Sequence, residues 1–139
     1  MTPFLGRTRI TVMRTIISLL VAAITLLGCG NTKPDQEAQQ RALTLAADGD
    51  ALLVDVRSTE EVAGGRLDGA IHIPHPEIVA GLTKRGISKD STVVLYCRSG
   101  NRSGMAAKAL TDAGFSHVIN AGAYQDLLPL QARLRSTAP

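Results

Sequence analysis

The chain has 139 residues, enough for one domain and not for two. Apolar residues at 45% and charged residues at 19% exclude a disordered polyelectrolyte, and 3% aromatics without Trp argue against a base-stacking nucleic-acid surface. Two cysteines exclude a disulfide-dense scaffold and a four-cysteine zinc site. The net charge of +3 resides in Arg7, Arg9 and Arg14; the other 12 of the 15 basic residues are matched by 12 acidic ones, all beyond residue 28, so no nucleic-acid partner is expected.

Residues 1–28 carry these arginines and then an apolar run at 16–27. As a helix that run spans about 18 Å, short of the roughly 20 apolar residues that cross a bilayer, and suited to the apolar region of an export signal. It ends Leu26-Leu27-Gly28-Cys29. This resembles the bacterial lipoprotein box, which implies cleavage after Gly28, lipid on Cys29, and anchoring at the periplasmic face of a membrane. Gly30 rather than Asp after the cysteine favours the outer membrane on that analogy. Two acyl chains give the stable anchoring that one does not. Met13-Arg14 would also make a compact signal start. Residues 29–36 read as a polar tether, and residues 37–139 as the domain.

Within the domain, residues 35–47 predict a helix capped by Asp35, with Ala38, Ala42, Leu45 and Ala46 on one face. Residues 52–56 are an apolar, β-branched run suited to a buried parallel strand. Ser58-Thr59-Glu60-Glu61 has the form of a capping box, so a short helix starts at Ser58 and closes at Gly64-Gly65. A short strand at 70–73 is stopped by Pro74 and Pro76, and a short helix follows at 77–82. Residues 92–96 are the clearest strand, 103–113 a helix ended by Gly114, 116–119 a last strand, and 127–134 a last helix with Pro129 in its first turn. Alternating strands and helices argue for an α/β domain with a mainly parallel sheet.

Sites in open parallel sheets form at the carboxyl ends of strands. The strand at 92–96 runs into Cys97-Arg98-Ser99-Gly100-Asn101-Arg102, and a helix begins at Ser103. Gly100 permits the tight path, and amides without strand partners can converge on one point. The positive end of the helix faces the same way, and Arg98 and Arg102 add charge. Such surroundings favour a thiolate, so the residues predict a nucleophilic Cys97 facing an anionic substrate. Arg102 is expected to turn inward and brace the loop; Arg98 can equally face solvent.

Asp55-Val56-Arg57, Glu61, Gly65, Gly69-Ala70 and Ile73-Pro74, followed by Cys97-Arg98-Ser99-Gly100-Asn101-Arg102-Ser103 and the Asn120-Ala121-Gly122 turn, resemble a single-domain rhodanese across about residues 40–128. The resemblance implies a mainly parallel five-stranded sheet with helices on both faces. It also implies a thiosulfate-type sulfurtransferase whose Cys97 carries a persulfide within the loop amides of residues 98–103. A small anionic sulfur donor and a thiol or cyanide acceptor would be its partners, with no metal or organic cofactor, and the chain would work as a monomer. Val62, Arg66 and Ala123 depart from the frequent aromatic, His and Gly of the family. Asp55, Arg57 and Glu61 read as a structural set, with Arg57 able to pair with Glu61 across the helix start.

Two other readings stay open. Cysteine phosphatases need five residues between Cys and Arg, whereas four separate Cys97 from Arg102, and the loop holds no Asp as a leaving-group acid, though Asp126 could approach from elsewhere. A non-catalytic module could instead bind or store sulfane sulfur. His72 and His75 lack a third metal ligand nearby in sequence; His72 is expected to be a hydrogen-bonded strand-end residue and His117 a surface residue.

Overall fold

The computed structural model describes residues 34–137. The expected export segment 1–28, Cys29 and most of the tether lie outside the described residues.

Asp35 caps α1 (Gln36–Ala47), its carboxylate accepting from Ala38 N at 2.7 Å. The buried face differs from the expected one: Gln39, Ala42 and Leu43 point inward, and Leu45 is exposed. The helix is phased by two attachments. Leu43 fills the core, and Gln39 Nε2 donates to Ala121 O at 3.0 Å, satisfying a carbonyl at the far strand.

β1 (Leu52–Asp55) is the second strand of the sheet. The expected capping box is present on α2 (Thr59–Ala63): Ser58 Oγ accepts from Glu61 N, and Glu61 Oε2 accepts from Ser58 N. β2 (Ile71–His72), a 3-10 turn at His75–Glu77 and α3 (Ile78–Lys84) follow. β3 (Thr92–Cys97) leads into α4 (Asn101–Asp112), then β4 (His117–Ala123) and α5 (Tyr124–Thr137).

All pairings are parallel and the order is β2-β1-β3-β4, with a register irregularity between Leu95 and Tyr96 on β3 opposite β4. Among the described residues the sheet therefore has four strands, where five were expected. The segment between α2 and β2 gives its backbone to side chains instead of a ladder. Leu67 N donates to the Tyr96 hydroxyl, and Asp68 N and O both bond the Gln131 amide. Pro74, without an N–H, then stops β2 after two residues.

Alternation along the strands sorts the core into two layers. Val54, Val56, Val93, Leu95 and Cys97 meet Ile78, Leu82, Ala106, Leu110 and Phe115 on the α3/α4 side. Leu53, Val94, Tyr96 and Ala121 meet Ala42, Leu43, Leu127 and Leu130 on the α1/α5 side. Helices thus cover both faces, as expected of a parallel sheet.

α5 begins three residues before the expected start, which puts Pro129 in its interior rather than its first turn. Burial of Leu127 and Leu130 holds the helix through the missing N–H, while Leu128 and Pro129 face outward. The chain reverses direction across the sheet between β1 and β3, and the carboxyl ends of those strands carry the conspicuous polar residues. An apolar groove of about 450 Å³ between α1 and α5 borders the start of β1, at the opposite end of the sheet from Cys97.

Candidate active site

Cys97 closes β3, and the chain turns back within three residues. Gly100 makes that turn possible: it caps α4 at φ 90°, a left-handed conformation that side chains disfavour. A Cβ there would also meet Gly122 Cα at 3.3 Å. The early turn starts α4 at Asn101, two residues before the sequence-based start. Asn101, Arg102 and Ser103 therefore form the first helical turn, whose amides have no partner within the helix.

Of these, the Ser103 amide reaches the sulfur, together with the amides of Ser99 and Gly100 in the turn. Cys97 Sγ accepts from Gly100 N at 3.1 Å and from Ser103 Oγ at 3.5 Å. Burial pushes the thiol up, but the Ser103 hydroxyl and the amides of Ser103, Ser99 and Gly100 pull it down, and the balance lies below the ordinary value. Cys97 has no exposed surface, so its sulfur lies beneath the loop rather than open at the mouth.

Two braces hold the loop. On one side Arg102 makes a two-pronged pair with Glu61, Nη1–Oε2 at 2.6 Å and Nη2–Oε1 at 2.8 Å. The Arg102 hydrogen bond holds the Glu61 carboxyl down to about 2, and Arg102 in turn stays charged beside Cys97. On the other side Asn120, the middle residue of β4, donates from Nδ2 to Gly100 O at 3.1 Å. Its Oδ1 accepts from Ser103 Oγ at 2.7 Å and Gly122 N at 3.0 Å.

The loop residues expected from sequence thus split by role. Gly100, Arg102 and Ser103 converge on Cys97 or its braces, whereas Ser99 and Asn101 side chains are exposed. Arg98 is 79% exposed, its Nε 4.0 Å from Glu61. It faces solvent and cannot direct the thiol closely.

The expected Arg57–Glu61 pair is not formed. Arg57 instead binds Asp55, with Nη2–Oδ2 at 2.6 Å and Nε 3.0 Å from both oxygens, and donates to Gly65 O at 2.6 Å. Asp55 is fully buried and only two residues away, so leaving it unpaired would cost far more than leaving Glu61 to another cation. The Arg57 guanidinium lies 4.1 Å from the Tyr124 ring centre, and Tyr124 stacks against Tyr96. Burial and the nearby Asp55 carboxylate keep the Tyr96 phenol protonated, against the Leu67 amide and Arg57. This cluster lies on the sheet face opposite Cys97.

Sequence reasoning placed Glu61 among structural residues and Asn120 only in a turn. Both touch the loop. The capping box fixed where Glu61 starts, but not which cation it faces. A carboxamide on a strand beside a site strand was the available signal for Asn120. His72 Nε2 bonds Arg57 O at 2.9 Å, the strand-end role expected of it. Asp126 is exposed on α5. Among the described residues no three His, Cys, Asp or Glu side chains gather as metal ligands.

Comparison with known proteins gives the family. The family described as rhodanese-like domain matches residues 38–126. The chain belongs to the rhodanese-like family. The rhodanese-like domain is 36% identical over 74 residues to the thiosulfate sulfurtransferase PspE of Escherichia coli, covering 53% of this chain and 71% of that protein. It is 33% identical over 98 residues to the human thiosulfate:glutathione sulfurtransferase, covering 61% of this chain and 85% of the relative. Among solved structures, the human single-domain sulfurtransferase TSTD1 matches with a TM-score of 0.58 and 30% identity, over 64% of this chain and 90% of that one. A rhodanese with anions from E. coli matches with a TM-score of 0.52 and 36% identity, over 55% and 89%.

Proposed function

We propose that this protein is a sulfurtransferase that moves sulfane sulfur from a small anionic donor of the thiosulfate class to a thiol or cyanide through a persulfide on Cys97. The observation that carries the reading is the pair of hydrogen bonds donated to the Cys97 sulfur by Gly100 N and Ser103 Oγ. A cluster of donors around sulfur favours its anionic forms, thiolate and persulfide alike. PspE, a thiosulfate sulfurtransferase by name, supports the donor, and the human thiosulfate:glutathione enzyme supports a thiol acceptor.

In the first step the Cys97 thiolate attacks the outer sulfur of thiosulfate, a sulfur–sulfur bond forms to Cys97, and sulfite leaves with the electron pair of the broken bond. In the second, a nucleophilic acceptor attacks the outer persulfide sulfur and the Cys97 thiolate is restored. Electrons balance within the two displacements, so no cofactor is needed, and ping-pong kinetics follow. Cys97→Ser is expected to abolish thiocyanate formation from thiosulfate and cyanide; activity retained in that variant contradicts the assignment.

The reading includes export as a monomer, lipidation of Cys29 and residence at the periplasmic face, with the outer membrane favoured. Metabolic incorporation of labelled fatty acid, lost in Cys29→Ser, is the expected result; unlabelled wild-type protein contradicts it.

One observation favours a second reading. A Cys97 without exposed surface suits a carrier that shields stored sulfur. Repeated turnover supports the enzyme, and a single stoichiometric loading supports the carrier.

A further inference from the structure

The Ser103 hydroxyl has one proton and three acceptors within reach: Asn120 Oδ1 at 2.7 Å, Gly100 O at 3.1 Å and Cys97 Sγ at 3.5 Å. Ser103 and Cys97 are both fully buried, so water cannot make up for a misplaced proton. The shortest contact is the one to Asn120, which is where the proton rests beside a neutral thiol.

Asn120 is arranged to give that proton up. Its orientation is fixed by Nδ2 donating to Gly100 O and Oδ1 accepting from Gly122 N. Gly100 O is therefore already served, and does not depend on the hydroxyl. Oδ1 keeps the Gly122 amide when the hydroxyl turns away. Rotation of one O–H toward sulfur orphans no buried acceptor.

We propose that Asn120 is a positioning residue of the site: it parks the Ser103 proton while Cys97 is neutral and yields it to Sγ when Cys97 is a thiolate. The proposal rests on the sulfur-transfer reading of Cys97. On ionisation the thiol proton leaves to solvent, the Ser103 O–H turns from Oδ1 to Sγ, and no covalent bond beyond S–H changes.

The charged groups around the thiol are Arg102 from α4 with Glu61 from α2 paired to it, and Arg98 at the exposed rim. β1 places Asp55, and the chain two residues beyond it Arg57, beside Tyr96 on the other face. β4 brings Asn120 to the loop, and its one titratable side chain, His117, sits at the strand's opposite end. The Asn120–Ser103 link is thus an uncharged lever on the sulfur, separable from the ion pair.

The test uses the full chain and the pH dependence of iodoacetamide alkylation, read on the Cys97 peptide by mass spectrometry. Ser103→Ala, Asn120→Ala and the double variant are compared with wild type. Without Asn120, Gly100 O keeps the Gly104 amide but loses its carboxamide donor, and the hydroxyl, released from Oδ1, turns to the vacated lone pair at 3.1 Å rather than to the sulfur at 3.5 Å. Each single variant is expected to raise the alkylation midpoint by about 0.5–1 pH unit, and to slow sulfur loading from thiosulfate at neutral pH about tenfold or less. The double variant is expected to match Ser103→Ala alone. An unchanged midpoint in Asn120→Ala overturns the proposal. So does an Asn120→Ala shift of equal size in the Ser103→Ala background, which marks a purely structural role. If Asn120→Ala does not fold, Asn120→Ser carries the same comparison. Sulfur gain by the wild-type protein is scored separately: its failure sinks the sulfur-transfer reading, whereas the midpoints decide Asn120.

Discussion

Glu61 holds two elements at once, closing the capping box of α2 and clasping Arg102 from α4. Its carboxyl is depressed to about 2, first by the Arg102 hydrogen bond, so the stabilisation is fully present above the ordinary carboxylate range near 4.5. It is lost as pH falls through that range toward 2. Glu61→Gln is expected to lower thermal stability at neutral pH and to slow sulfur loading several-fold, with the melting difference from wild type vanishing as pH approaches 2. Melting curves between pH 7 and 2 check this, and a difference that persists at pH 2 counts against the clasp. Arg102 was legible in the sequence as an inward brace because its spacing from Cys97 put it on the loop. Its partner was not, because Glu61 could have taken Arg57. Burial of Asp55 decided between them, and burial is a property of the packed sheet rather than of the local spacing.

The element that shapes the site is the turn from β3 into α4. Gly100 at φ 90° brings the amides of Ser99, Gly100 and Ser103 to the sulfur, with β4 close behind it. Gly100→Ala meets both a left-handed backbone and Gly122 Cα at 3.3 Å. It is expected to cost about 1–3 kcal/mol and to reduce sulfur loading tenfold or more, because the amides move from Cys97. Chemical denaturation with a single-turnover assay checks both; an unperturbed rate contradicts the role of the amide cluster. Strand and helix order were legible from hydrophobic runs and caps, and the Ser58 and Asp35 caps formed as read. Element ends were less so. α4 starts two residues early because a glycine can serve as its cap without a side-chain bond. α5 continues through Pro129 because Leu127 and Leu130 are buried. Both outcomes depend on tertiary contacts that propensity does not contain.

At the scale of the whole molecule, two apolar layers clamp a four-stranded sheet, and the loop rests on the α3/α4 layer through Cys97, Ala106 and Leu110. Leu110 has no exposed surface, so Leu110→Ala is expected to destabilise by about 2–5 kcal/mol through lost burial and the cavity left behind. Denaturant unfolding measures it, and a loss under 1 kcal/mol contradicts the two-layer account. The parallel sheet was legible from its strand–helix alternation. So were its four strands, at 52–56, 70–73, 92–96 and 116–119; the fifth was implied only by the family resemblance, and among the described residues the segment before β2 gives its backbone to Tyr96 and Gln131 side chains instead. On the proposed function, this scaffold turns one recessed thiol into a sulfur carrier. Mass spectrometry of the protein after thiosulfate, with peptide mapping, tests it most directly. The account predicts the gain of one sulfur atom on Cys97 that disappears on adding cyanide; no gain there, or a gain that cyanide leaves in place, contradicts it.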